Sequence, residues 1–254
     1  MEERPQKGLT LAAAWDLLRE ARVGEFGAQA AFFILLSLLP FLVFLTALLS
    51  FLPWDSSLLA RWLPQELLAA LPSRPPSAAV LSLSGGTALW SASRGIVALT
   101  RGLNRMYGCE ETRSYLRLRF FALAQTLILE LSLLCTLGGV VQGEALVHLF
   151  GLRVLPPFVG VVLGWGILSL FFLFLYALLP NRSAPLFRQL PGAAGAALGW
   201  ILFTEGFSFY VTYVADFSLL YGALSNVAML ILWLWLCLCI LFLGAFVNRL
   251  LTLV

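Results

Sequence analysis

From Gly27 to Leu52 the chain carries no charged residue, and the same holds from Phe217 to Asn248. A hydrocarbon layer about 30 Å thick takes roughly 20 apolar residues per crossing helix. Only helices and closed barrels satisfy their own backbone hydrogen bonds there. The first stretch is long enough to cross, and the second is too long for one straight crossing. A chain with such segments folds in a bilayer. Of its 254 residues, 61% are hydrophobic and 11% charged, against about 45–50% and about 25% in soluble domains. An all-α membrane protein is therefore expected, a single polytopic domain over 1–254 with short loops.

Six crossings are expected, at about 27–52, 78–100, 120–143, 154–179, 191–213 and 224–248. Ahead of them, Leu11, Trp15, Leu18 and Arg22 recur on one helical face. Residues 1–25 thus read as a helix lying on the inner leaflet or as a cap packed on the bundle; they are too rich in acids and bases for a cleavable signal. Pro40 should kink the first crossing by removing one backbone bond. Residues 53–76 hold five prolines and read as a loop. The second crossing is rich in Gly, Ala and Ser up to Arg94 and continues as helix to about Tyr107. Its weak hydrophobicity points to burial by neighbouring helices. A loop or re-entrant piece near Tyr221-Gly222 should precede the last crossing. Counting Lys and Arg in alternating connections gives twelve on the amino-terminal side and three on the other. By the positive-inside rule both termini then face the cytoplasm.

Ionisable groups at membrane depth are costly, which makes them the first functional candidates. Glu130 lies roughly 15 Å into its helix and Glu205 roughly 21 Å, at 1.5 Å per residue. Arg94, Arg101 and Arg105 are spaced seven and four, so they share one face. With Asn104 and Arg113 nearby in sequence, they form a candidate track for an anionic headgroup, since guanidinium pairs bidentately with phosphate or carboxylate. The alternative is an Arg94–Glu130 pair tying two helices, with the other arginines reaching to the interface. Glu205, Ser208 and Thr212 share a face that either lines a cavity or makes interhelical hydrogen bonds. Gly-x-x-x-Gly spacings at 139–143, 160–164 and 195–199 indicate close helix packing.

Catalytic chemistry finds little material. His148 is the only histidine, and Cys109, Cys135, Cys237 and Cys239 form neither a C-x-x-C pair nor a Cys/His cluster. There is no G-x-S-x-G, phosphate-binding loop or dinucleotide fingerprint. The basic loop 101–119 is too short for a nucleic-acid module. No enzyme activity, cofactor, metal or nucleic-acid partner is expected.

The stretch Ala31-Phe-Phe-Ile-Leu-Leu-Ser-Leu-Leu-Pro40 resembles the first-helix signature of the YihY/BrkB family of bacterial inner-membrane proteins. Further matches follow in order: Leu89-Trp-Ser-Ala-Ser93, Leu103-Asn104 with Tyr107-Gly108, Glu110-Glu-Thr-Arg113 and Leu179-Pro180-Asn181-Arg182. Pro191-Gly192, Phe207-Ser-Phe-Tyr210, Tyr221-Gly222, Trp233 and Gly244-Ala245 complete the series. On this resemblance Ser37, Pro40, Tyr107, Pro180, Asn181, Arg182, Tyr210, Tyr221 and Gly222 are family-motif positions. The family often carries an acidic residue after the final Gly-Ala, where this chain has Phe246. The resemblance implies a six-helix protein of the bacterial inner membrane. The family was long labelled ribonuclease BN, a label these residues argue against; some members are associated with serum resistance and envelope lipid traffic. The leading expectation is a transport protein moving an anionic lipid, such as a phospholipid or lipid A precursor, for envelope biogenesis. A non-transporting scaffold with an envelope-protein partner or as a homo-oligomer, and an ion- or proton-coupled transporter, stand as alternatives.

Overall fold

A computed structural model of the chain describes residues 11–51, 65, 69, 77–127, 157–213 and 224–253. Its helices are α1 (Leu11–Ala21), α2 (Val23–Phe51), α3 (Ala78–Tyr107), α4 (Pro157–Leu178), α5 (Leu186–Tyr213) and α6 (Leu224–Leu253). Residues 115–127 are also helical, and among the described residues there is no strand. The all-α membrane class is thus established. The 120–143 crossing is described only to 127, and Glu130, His148, Tyr221 and Gly222 lie outside the described residues.

Local chemistry sets the borders. Ser77 Oγ accepts from the Val80 N–H at 3.4 Å and opens α3; Ser114 Oγ does the same for the Arg117 N–H at 3.4 Å. Arg22 adopts a φ of 51°, which breaks the chain between α1 and α2. The amphipathic helix therefore stops one residue short of Arg22. α3 ends at Gly108, whose φ of 68° favours glycine. α5 begins at Leu186, earlier than the expected 191, and Pro191 lies inside it. As the sixth residue of the helix, Pro191 lies past the unpaired first turn and removes one backbone hydrogen bond, the one that would reach the Phe187 carbonyl.

Among the described residues, three helical stretches are long and apolar enough to cross a membrane: Ala12–Ser50, Leu186–Tyr213 and Ser225–Leu253. Large apolar side chains such as Leu39, Ile167, Leu202 and Leu251 stay exposed along them and along α4. Such a surface suits lipid and not water. α3 differs: every residue from Gly95 to Thr100 is buried, which explains how a weakly apolar helix is accommodated.

The contacts divide the chain into two compact units. The first holds Met1–Phe32, Ala98–Arg113 and Phe158–Val254; the second holds Phe33–Val97 and Ser114–Pro157. In the first unit α6 is the hub. Trp235 Nε1 donates to the Gly24 carbonyl on α2 at 3.0 Å, Phe242 fills the space beside Gly102 on α3, and the Tyr176 hydroxyl of α4 donates to the Leu241 carbonyl at 2.6 Å. Gly192 on α5 and Gly244 on α6 bring their backbones together, with no room for a Cβ at either position. Aromatic edges close the same core: Phe172 to Trp200 at 5.4 Å and Trp200 to Trp233 at 6.0 Å. In the second unit, Phe44 packs on Gly85 and Ile34 on Gly95.

Candidate functional site

The first unit gathers polar groups where α3 and α4 end, α5 begins and α6 ends. Two layers can be separated. The outer layer is a clamp on the loop after α3. Arg113 grips the Glu111 carboxylate with Nε at 2.7 Å and Nη2 at 2.8 Å, and Nη2 also donates to the Leu179 carbonyl at 2.9 Å. Asn104 Nδ2 donates to the same carboxylate at 2.7 Å, while its Oδ1 accepts from the Asn181 N–H at 2.7 Å. The Asn181 amide then donates to the Glu110 carbonyl and to Thr112 Oγ1. Sequence reasoning put Asn104 and Arg113 among headgroup candidates; here their side chains hold the 108–113 loop against the end of α4.

Burial alone would raise the Glu111 carboxyl, but the bonds and charge of Arg113 and the Asn104 amide outweigh it and lower its pKa. A depressed folded value means that the clamp is at full strength above the ordinary glutamate pKa of about 4.3 and is lost as pH falls through the depressed value. Hydrogen exchange over 108–113 should accelerate in that acid window. Glu111→Gln should show the same acceleration at neutral pH; exchange that stays slow in both would mean that the carboxylate does not hold the loop.

The inner layer is buried. The Tyr107 hydroxyl donates to Gln189 Oε1 at 2.7 Å. Asn248 Nδ2 donates to the Gln189 carbonyl at 2.9 Å and approaches the Tyr107 hydroxyl at 3.4 Å, and Asn248 Oδ1 accepts from the Gly192 N–H at 2.7 Å. The Arg182 guanidinium lies over the Tyr107 ring, 3.4 Å from its centre, with Nε and Nη2 buried and without a hydrogen-bond partner. The ring face takes the place of an acceptor for this cation. Tyr107, past the crossing, has its pKa pushed up to about 12 by burial, against the lowering from Asn248 and Arg182. It stays a neutral donor at any physiological pH. Asn181 and Arg182 thus belong to one knot with Tyr107. Gln189 and Asn248 were missed in sequence; the available signal was an amide in each of two apolar helices, which is costly at membrane depth unless paired.

The arginine stripe is exposed at all three positions, Arg94, Arg101 and Arg105, along a helix whose neighbouring positions are largely buried. Arg105 spends its guanidinium on the Glu20 carbonyl, with Nη2 at 2.7 Å and Nε at 3.1 Å, and so caps the end of α1. Arg94 lies in the second unit beside a residue the sequence did not single out. Arg119 is 7% exposed. Its guanidinium stands 4.1 Å from the centre of the Trp90 ring, Nη2 donates to the Trp90 carbonyl at 3.0 Å, and Nε has no partner. Trp90 is one helical turn from Arg94, whose like charge acts on Arg119. Neither arginine makes an ion pair among the described residues.

Glu205, Ser208 and Thr212 are all exposed on α5, and Thr212 Oγ1 donates to the Ser208 carbonyl at 2.8 Å within the helix. Ser37 Oγ donates to the Ile34 carbonyl ahead of Pro40, Pro180 is buried, and Tyr210 is exposed. Phe246 is buried in the α6 core. Among the described residues no three His, Cys, Asp or Glu side chains converge as a metal site would require.

A family model for virulence factor BrkB matches residues 14–253, spanning both polar sites. The chain belongs to the BrkB family. Among the relatives of this BrkB protein is YfkH of Bacillus subtilis (strain 168), whose name describes it as ribonuclease-like; it is 32% identical over 242 residues, 88% of each chain. The UPF0761 membrane protein VP0125 of Vibrio parahaemolyticus is 28% identical over 257 residues, 92% of this chain and 79% of its own. A shorter match, 36% identical over 104 residues, is the UPF0761 membrane protein Rru_A2625 of Rhodospirillum rubrum, covering 40% of this chain and 24% of its own. No solved structure matches.

Proposed function

We propose that this BrkB-family protein is a transport protein of the bacterial inner membrane that moves an anionic amphiphile, a phospholipid or lipid A precursor, with both termini in the cytoplasm. The observation that carries the reading is the Arg94–Arg119 neighbourhood. The nearly buried Arg119 rests on Trp90, one helical turn before the exposed Arg94 on α3, with no carboxylate paired to either among the described residues and with an unused Nε–H on Arg119. A phosphate at this place would take the free donor and meet a second cation. Trp90, exposed beside them, suits the interface where a headgroup meets its chains. Arg101 shares the α3 face by its spacing from Arg94, and Glu205, Ser208 and Thr212 form an exposed polar face on α5. Arg105, Asn104 and Arg113 serve by holding the frame.

The test is translocation of a fluorescent anionic phospholipid in proteoliposomes, read by quenching from outside. A charge-assisted hydrogen bond is worth about 1.5–3 kcal/mol, so Arg94→Ala and Arg119→Ala should each slow the movement roughly ten- to a hundredfold. Arg117→Ala, in the exposed part of the same basic stretch, should leave it unchanged. Wild-type protein that moves no lipid but copurifies with a stoichiometric partner would replace transport with a scaffold role. Flux that tracks pH and Glu205 instead would indicate a proton-coupled carrier.

A further inference from the structure

A furrow runs along the outer seam of α5 and α6; it borders the polar knot at Gly192 and uses none of the arginines of the transport reading. Gly192, Gly195 and Ala196 form one wall and Leu243, Gly244 and Val247 the other, enclosing about 290 Å³. It opens at Pro191 into a wider mouth of about 430 Å³ lined by Arg188, Leu251 and Thr252. On α5 the lining positions Arg188, Gly192 and Gly195 are spaced four and three; on α6 Ile240, Leu243, Val247 and Leu251 follow at three, four and four. These are single helical faces, and Pro191 lines both openings.

We propose that an anionic phospholipid of the surrounding leaflet seats one acyl chain in this furrow and sets its phosphate against Arg188 at the mouth. Three observations converge. The first is length: Ile240 to Leu251 spans roughly 16 Å at 1.5 Å per residue, about one leaflet of a 30 Å hydrocarbon core. The second is lining: every residue along the furrow, from Pro191 and Gly192 to Leu243 and Val247, is apolar, which suits a hydrocarbon chain. The third is charge. Arg188 is exposed, makes no ion pair among the described residues, and rests only beside the Phe187 ring at 5.9 Å; neither opening is lined by an acidic residue. The space at Gly195 is free, since a Cβ there would meet nothing within 4 Å.

The experiment uses the full chain in nanodiscs carrying a phosphatidylglycerol with a photoactivatable group on one acyl chain, and a phosphatidylcholine with the same group. Crosslinks mapped to 192–196 and 240–247 should be several-fold more frequent with phosphatidylglycerol. Arg188→Gln, at an exposed position, should bring the two lipids to parity. Gly195→Leu should remove the crosslinks from the furrow while the protein stays monodisperse. Arg94→Ala should leave the labelling as in wild type, so a failure of transport and a failure of this site are read separately. Equal labelling by both lipids in wild type, labelling indifferent to Arg188→Gln, or crosslinks between two protein copies within the furrow would each overturn the proposal.

Discussion

Gly192→Val is expected to yield no monodisperse protein, whereas Gly195→Val, one turn along the same helix, should behave as wild type. The contrast follows from the α5–α6 seam. A Cβ on Gly192 would run into the Gly244 carbonyl and stand 2.5 Å from the Asn248 amide. Backbone cannot rotate aside as a flexible side chain can, so the two helices must separate. Overpacking costs about 1–3 kcal/mol where side chains can yield, and more where they cannot. Separation would also break the Gly192 N–H bond to Asn248. A total stability of about 5–15 kcal/mol does not absorb this comfortably. Gly195 faces open space, and a side chain there displaces only lipid. Fluorescence-detected size exclusion of solubilised protein gives the comparison directly. Equal recovery of the two variants would mean that the seam is not as tight as Gly192 and Gly244 require.

The second large effect is expected at Asn248, which is fully buried. Asn248→Leu keeps the volume and removes both ends of the amide. The Gln189 carbonyl and the Gly192 N–H lose a partner, and the Tyr107 hydroxyl loses a neighbour. A buried group left unsatisfied costs about 1–3 kcal/mol, while single bonds inside membranes average about 0.6 kcal/mol. With three groups involved, roughly 2–4 kcal/mol is expected, a midpoint drop of about 5–15 °C for a chain of this size. Tyr107→Phe removes one donor and should cost about 1 kcal/mol. Because both changes touch one network, the double variant should fall short of the sum. Strict additivity in thermal melts would show that Tyr107 and Asn248 do not cooperate.

What could be read in the sequence follows from what is local. The uncharged runs and their flanking Ser77, Gly108 and Pro180 specify helices through neighbours a few residues away. The arginine stripe was visible because a helix converts spacing into a face. The knot of Tyr107, Gln189 and Asn248 was not, since its members are 82, 141 and 59 positions apart and meet only through packing on α6. Arg119 was counted as one more basic residue of a loop; its place against Trp90 depends on how the 115–127 helix lies beside α3. Similarly, Asn104 and Arg113 carry the right charge and polarity for a headgroup. Spacing could not disclose that Glu111 and Asn181 already engage them.

α6 follows α2 to α5 in chain order, yet each of those helices rests a residue on it. During synthesis those earlier segments enter the bilayer before their common partner has been made. The Tyr107 hydroxyl and Gln189 can pair once α5 is in place, but the bonds of Asn248 to the Gln189 carbonyl and the Gly192 N–H form only when α6 arrives. Insertion and assembly are therefore separate stages for this unit, and its packing is completed only when α6 joins the helices made before it.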